Sequence, residues 1–80
     1  MRDVKKSLKV RAHWDADVRR WWAESDEIPG LVTEADTFDD LVREITLVAP
    51  ELLELNGCAD RLGIPIRITG MREVRLAVPS

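Results

Sequence analysis

These 80 residues contain one cysteine, Cys58, and one histidine, His13. A lone cysteine cannot close an internal disulfide, so a reducing compartment, the bacterial cytoplasm, is expected. A structural zinc site needs four converging donors, and the chain has too few imidazoles and thiols to supply them. Seven acids crowd into residues 21–42, but their spacing lacks the central glycine and terminal glutamate of an EF-hand loop. No apolar run approaches the roughly 18 residues of a membrane span. The N-terminal MRDVKKSLKV has no apolar h-region, so no signal peptide is expected. A phosphate-binding glycine loop, a dinucleotide fingerprint and a nucleophile elbow are all missing. Paired carboxylates need a cleft to shift their pKa values, and so small a chain offers no obvious one. Neither catalysis nor a cofactor is therefore expected. With no repeat, low-complexity segment or linker, residues 1–80 read as a single domain.

What is present begins with charge. Hydrophobic content of 45% and charged content of 34% are those of a folded protein rather than a disordered one. The net charge of −3 conceals an uneven distribution. Residues 1–20 carry seven bases against three acids, residues 21–42 carry seven acids and no Lys or Arg, and residues 43–80 balance five against five. A weakly acidic chain is a poor nucleic-acid ligand, because phosphate contacts need clustered cations. A locally acidic surface suits a basic protein instead.

The hydrophobic pattern predicts α+β architecture. Residues 7–14 alternate strictly, with Leu8, Val10, Ala12 and Trp14 on one side and Lys9, Arg11 and His13 on the other, so they read as a half-buried strand. Asp15–Val18 is a turn, and residues 20–26 complete an antiparallel hairpin with Trp22, Glu24 and Asp26 outward. Ile28-Pro29-Gly30-Leu31 suits a type II turn, with proline fixing φ and glycine permitting a positive one. A third strand over 31–36 follows. Thr37 is a helix N-cap with Asp39 and Asp40 in the first turn. Phe38, Leu41, Ile45, Val48, Leu52 and Leu55, joined by Val42 and Ala49, then form an apolar stripe ending at Gly57. Pro50 is expected to kink the helix or to stop it near Val48 and restart it. The alternations Ile64/Ile66/Ile68 and Val74/Leu76/Val78, divided by Gly70, read as one or two further strands. The expected fold is an antiparallel sheet, β-β-β-α-β(-β), with one amphipathic helix on one face.

The candidate functional residues follow from which side each strand residue takes. Outward Trp22, Glu24, Asp26 and Glu34 form a surface for a basic partner, Trp22 being the type of residue that anchors protein interfaces. Leu47, on the polar side of the helix, and Ile66 and Ile68 in the tail are candidate dimer contacts. Two rival readings use other features. One is a small nucleic-acid-binding or ribonuclease domain using His13, Lys9 and Arg11, with tryptophans stacking on bases. The other is a stand-alone structural homo-oligomer.

One ordered string carries a family resemblance. Val10-x-Ala12-x-Trp14-Asp15 is followed by Trp21-x-Ala23-x-Ser25-Asp26-x-Ile28-Pro29-Gly30-Leu31, then by Thr33-Glu34-Ala35-Asp36-Thr37 and the amphipathic helix. Over residues 8–56 this resembles the HicB-like antitoxin superfamily, in particular a branch of small single-domain bacterial proteins of unknown function. The resemblance implies a truncated ribonuclease-H-like fold without that enzyme's catalytic acids, often dimeric. It implies a partner as well, since HicB antitoxins neutralise a small basic HicA-type toxin that cleaves messenger RNA. HicB proteins commonly append a DNA-binding domain. Only 23 residues follow Gly57 here, too few for a helix-turn-helix, so direct DNA binding is not expected.

Overall fold

The computed structural model describes residues 7–79. The basic residues Arg2, Lys5 and Lys6 of the N-terminal segment lie outside the described residues. The chain forms β1 (Leu8–Asp15), β2 (Arg20–Glu24), β3 (Val32–Ala35), α1 (Phe38–Leu55) and β4 (Ile66–Met71), with a short 3-10 turn at Ala59–Arg61 before β4. This is the α+β class that the hydrophobic pattern predicts. Among the described residues no helix is long and apolar enough to cross a membrane.

Local chemistry sets the turns. The Asp17 amide donates to the Asp15 carboxylate and the Arg19 amide to the Asp15 carbonyl, which reverses β1 into β2. Strand β2 ends at Glu24 rather than residue 26, because the Ser25 hydroxyl accepts the amides of Glu27 and Ile28 and draws the chain out of the ladder. The Leu31 amide donates to the Ile28 carbonyl, and Gly30 has φ +82°, the left-handed value that a type II turn needs. Thr37 caps α1: its hydroxyl accepts the Asp40 amide at 3.0 Å. At the other end Gly57, φ +71°, donates its amide to Glu54 while the Cys58 amide returns to Leu53, a Schellman closure.

The helix runs unbroken from Phe38 to Leu55 with Pro50 inside it, so the stop and restart near Val48 is corrected, and so is the place of Leu55 in the apolar stripe. Thr46, whose carbonyl loses the amide of Pro50, and Pro50 itself both lie on the exposed side, where water can replace the missing donor. The buried stripe is Leu41, Ile45, Ala49 and Leu53, whereas Leu55 is 79% exposed. The last turn therefore presents a different residue to the sheet from the one that the 3,4,3,4,3 spacing selects.

The sheet order is β3-β2-β1-β4. The first three strands pair antiparallel, with Ala12 opposite Ala23 and Trp21 opposite Ala35. Strand β4 lies parallel to β1, with Leu8 opposite Ile66 and Ala12 opposite Gly70, which corrects the all-antiparallel expectation. The reason is topological: α1 returns the chain along the sheet after β3, so the next strand starts at the same end as β1 and runs the same way. Among the described residues a second tail strand over 74–78 is absent. In the β1–β4 register Met71 already reaches His13, and β1 ends at Asp15, so the tail runs past its partner.

The core lies between one face of the sheet and α1. Leu8, Val10, Ala12, Ala23 and Ala35 meet Leu41, Ile45, Ala49 and Leu53, with Ile28 and Leu31 of the turn closing one end. Burial of Leu41 and Ile45 contributes about 1.5–3 kcal/mol each. Trp14, Trp21 and Phe38 form an edge-to-face row across this layer, with centroids 5.7 and 5.3 Å apart. The Phe38 ring rests on Gly70, where a Cβ would lie 2.8 Å from Phe38 Cε1. Gly70→Ala is expected to lower stability by about 1–3 kcal/mol through overpacking, with Phe38→Leu restoring part of the loss in the double variant. Urea unfolding of the two single variants and the double checks both effects.

Candidate functional site: the uncovered sheet face

Alternation along each strand sends one set of side chains away from α1. On the uncovered face lie Lys9, Arg11 and His13 from β1, Arg20, Trp22 and Glu24 from β2, and Val32 and Glu34 from β3. Arg67, Thr69 and Met71 of β4 extend it. Trp22 sits near the middle, 37% exposed, and its ring stacks on His13 at 4.5 Å between centroids with an interplanar angle of 27°. Val32 and Met71 are exposed on either side.

The charges are organised in two clusters, each with one arginine and two carboxylates. Arg11 Nε lies 3.5 Å from Glu24 Oε2 and its Nη2 lies 3.4 Å from Asp26 Oδ2. Arg20 Nε donates to Glu34 Oε1 at 2.7 Å, and its Nη1 donates to Asp36. Glu24 Oε2 also meets His13 Nε2 at 2.9 Å. These contacts, the His13 hydrogen bond foremost and Arg11 next, hold the Glu24 carboxyl below the usual carboxylate range. Exposed pairs of this kind add little stability singly. Each cluster therefore holds one more carboxylate than arginine, while Lys9 and Arg67 elsewhere on the face offset that excess. An open concavity of about 430 Å³ beside Trp22 is lined by Asp15, Val18, Arg20, Trp22, Val32 and Glu34.

The structure thus places Trp22, Glu24, Asp26 and Glu34 together on one side, with the acids bound to the chain's own arginines rather than free. Leu47 is exposed on α1, far from the covered stripe in angular position. Ile66 and Ile68 are half-buried and pack against the core of their own chain, so their side chains are already engaged. Sequence reasoning did not single out Arg20, Val18, Val32 or Met71. Val32 was recoverable, because it stands one cross-strand step from a residue already identified, opposite Glu24. Among the described residues no three His, Cys, Asp or Glu side chains converge as metal ligands.

Comparison with known proteins gives two matches. The family described as a domain of unknown function, DUF1902, matches residues 7–79. A hypothetical protein from the extremely thermophilic bacterium Thermus thermophilus, known as a crystal structure, is 42% identical with a TM-score of 0.69. That match covers 90% of this chain and 99% of the other. No curated protein matches significantly.

The Glu24 contacts make a prediction about acid. A carboxyl whose pKa is depressed on folding contributes stability above its unfolded pKa and loses it as pH falls through the folded one. Glu24→Gln is expected to lose that contribution at neutral pH and to show a shallower decline in melting temperature below about pH 4.5, where free glutamate begins to protonate. Parallel thermal melts from neutral to acid pH check this, and identical pH profiles for variant and wild type would contradict it.

Proposed function

The chain belongs to the DUF1902 family, and from that premise we propose that it is a non-catalytic protein-interaction domain whose uncovered sheet face receives a small basic protein. The observation that carries this reading is the asymmetry of the sheet. One face is covered by α1, while the other centres on half-exposed Trp22 with exposed Val32 and Met71 around it. An aromatic anchor amid polar groups is the usual anatomy of an interface hot spot. Each Arg–carboxylate cluster holds one carboxylate more than its arginine, a local negative patch that suits a basic partner. In its more specific form, supported by the HicB-like sequence string, the domain acts in the cytoplasm as an antitoxin and the partner is a HicA-type toxin. A nucleic-acid interface on Lys9, Arg11 and His13 has less to support it, because Glu24 engages both Arg11 and His13.

The test is recovery of partner by the tagged protein from lysate of its own cells, after nuclease treatment. A single small basic protein is expected, lost at high salt as a charge-steered contact should be. The Trp22→Ala variant and the Glu24→Lys/Glu34→Lys double variant should each recover roughly tenfold less, the effect of removing about 1.4 kcal/mol of binding. Circular dichroism verifies that both stay folded. Undiminished recovery by both would refute the assignment of this face.

A further inference from the structure

We infer that the segment 72–79 is the second half of a long strand, begun by β4, that pairs antiparallel with the same segment of a second copy of this chain. The inference does not depend on the uncovered face or on its partner.

The segment continues the pattern of β4 without a partner strand in its own chain. In β4 the even-numbered residues Ile66, Ile68 and Gly70 face α1. Arg72 keeps that side, its guanidinium 4.1 Å above the ring of Trp14, the β1 residue one register step beyond the ladder. Val74, Leu76 and Val78 then carry on the same parity, at 70%, 82% and 88% exposure. Three aliphatic side chains at alternate positions, each largely exposed, are the pattern of a strand without its neighbour. The DUF1902 match runs to residue 79, so the segment is part of the domain.

A second copy is the occupant because the segment is complementary to itself. Antiparallel pairing puts directly opposed residues on the same face, so even numbers must oppose even numbers. A two-fold axis at Val74 satisfies this and also sets Glu73 opposite the partner's Arg75, twice, on the other face. Axes at residues 73 or 75 would instead oppose Glu73 to Glu73 or Arg75 to Arg75. The Val74 register sets Val78 opposite Gly70, where the backbone is bare beside Phe38. Joined this way, the partner's residues 77–79 pair along residues 69–71 of β4 and the two four-stranded sheets become one, with both helices on the same side.

Light scattering coupled to gel filtration should find wild type at twice 9.1 kDa and Leu76→Arg at the monomer mass, with its helical circular dichroism retained. In a Cys58→Ser background, Val74→Cys should oxidise to a covalent dimer, since residue 74 meets its own copy. Ala77→Cys, which faces position 71 in this register, should not. Monomeric wild type, or a dimer that Leu76→Arg leaves intact, would overturn the proposal. A dimer cross-linked through Ala77→Cys and not Val74→Cys would overturn the register.

Discussion

Everything in this domain depends on α1 lying on one face of the sheet, because among the described residues no other layer buries apolar surface. Close approach is possible where Ala12 and Ala23 stand opposite each other beneath the helix. Their small side chains leave room for Leu41, Ile45 and Ala49, which occupy successive turns. Gly70 plays the equivalent part at the sheet margin, admitting the ring of Phe38. A larger residue at any of these positions would lift the helix and reopen the core along its length, since interiors this small have few voids to absorb added volume.

A single covering layer forces the opposite face to be stable in water. It meets that demand with cross-strand pairs rather than apolar packing: Arg11 with Glu24, Arg20 with Glu34, and His13 stacked on Trp22. Each exposed pair contributes little stability, but together they fix the register, because a one-residue slip would exchange the charged and apolar sets. The same chemistry bears on the binding proposed for this face. A surface held by ion pairs and one aromatic stack is preorganised, and a partner meeting it need not first order long flexible side chains.

Much of this was legible in the chain, and the limits are physical. Strict alternation located β1 to within a residue, the Pro29-Gly30 turn and the Thr37 cap were read correctly, and α1 begins and ends where its cap and its glycine put it. These signals are local. What escaped were consequences of long-range pairing. The parallel placement of β4 follows from which edge the crossover reaches, and nothing within residues 66–71 encodes it. The choice of Leu53 over Leu55 for burial follows from how the last turn of α1 sits on the sheet. At the candidate site the outward residues were identified, but the run of seven acids without a base concealed that Arg11 and Arg20, from outside that run, lie against four of them. Charge read along a sequence overstates charge presented on a sheet, because neutralising partners come from other strands.

The two edges of the sheet differ in a way that the core does not require. Strand β3 is four residues long and is followed at once by the helix cap, so it offers little template for another chain. Short edges of this kind are a recognised defence against unwanted pairing. Strand β4 has the opposite character: it forms the other edge and leads into residues 72–79, whose apolar alternation continues in sequence past the end of β1. Glycine at position 70 weakens a strand interior, yet here it lets Phe38 cover the ladder from the helix side. A sheet with one edge closed early and the other continued by an alternating sequence favours extension in one direction, and pairing at that edge, as proposed, would leave the uncovered face around Trp22 open.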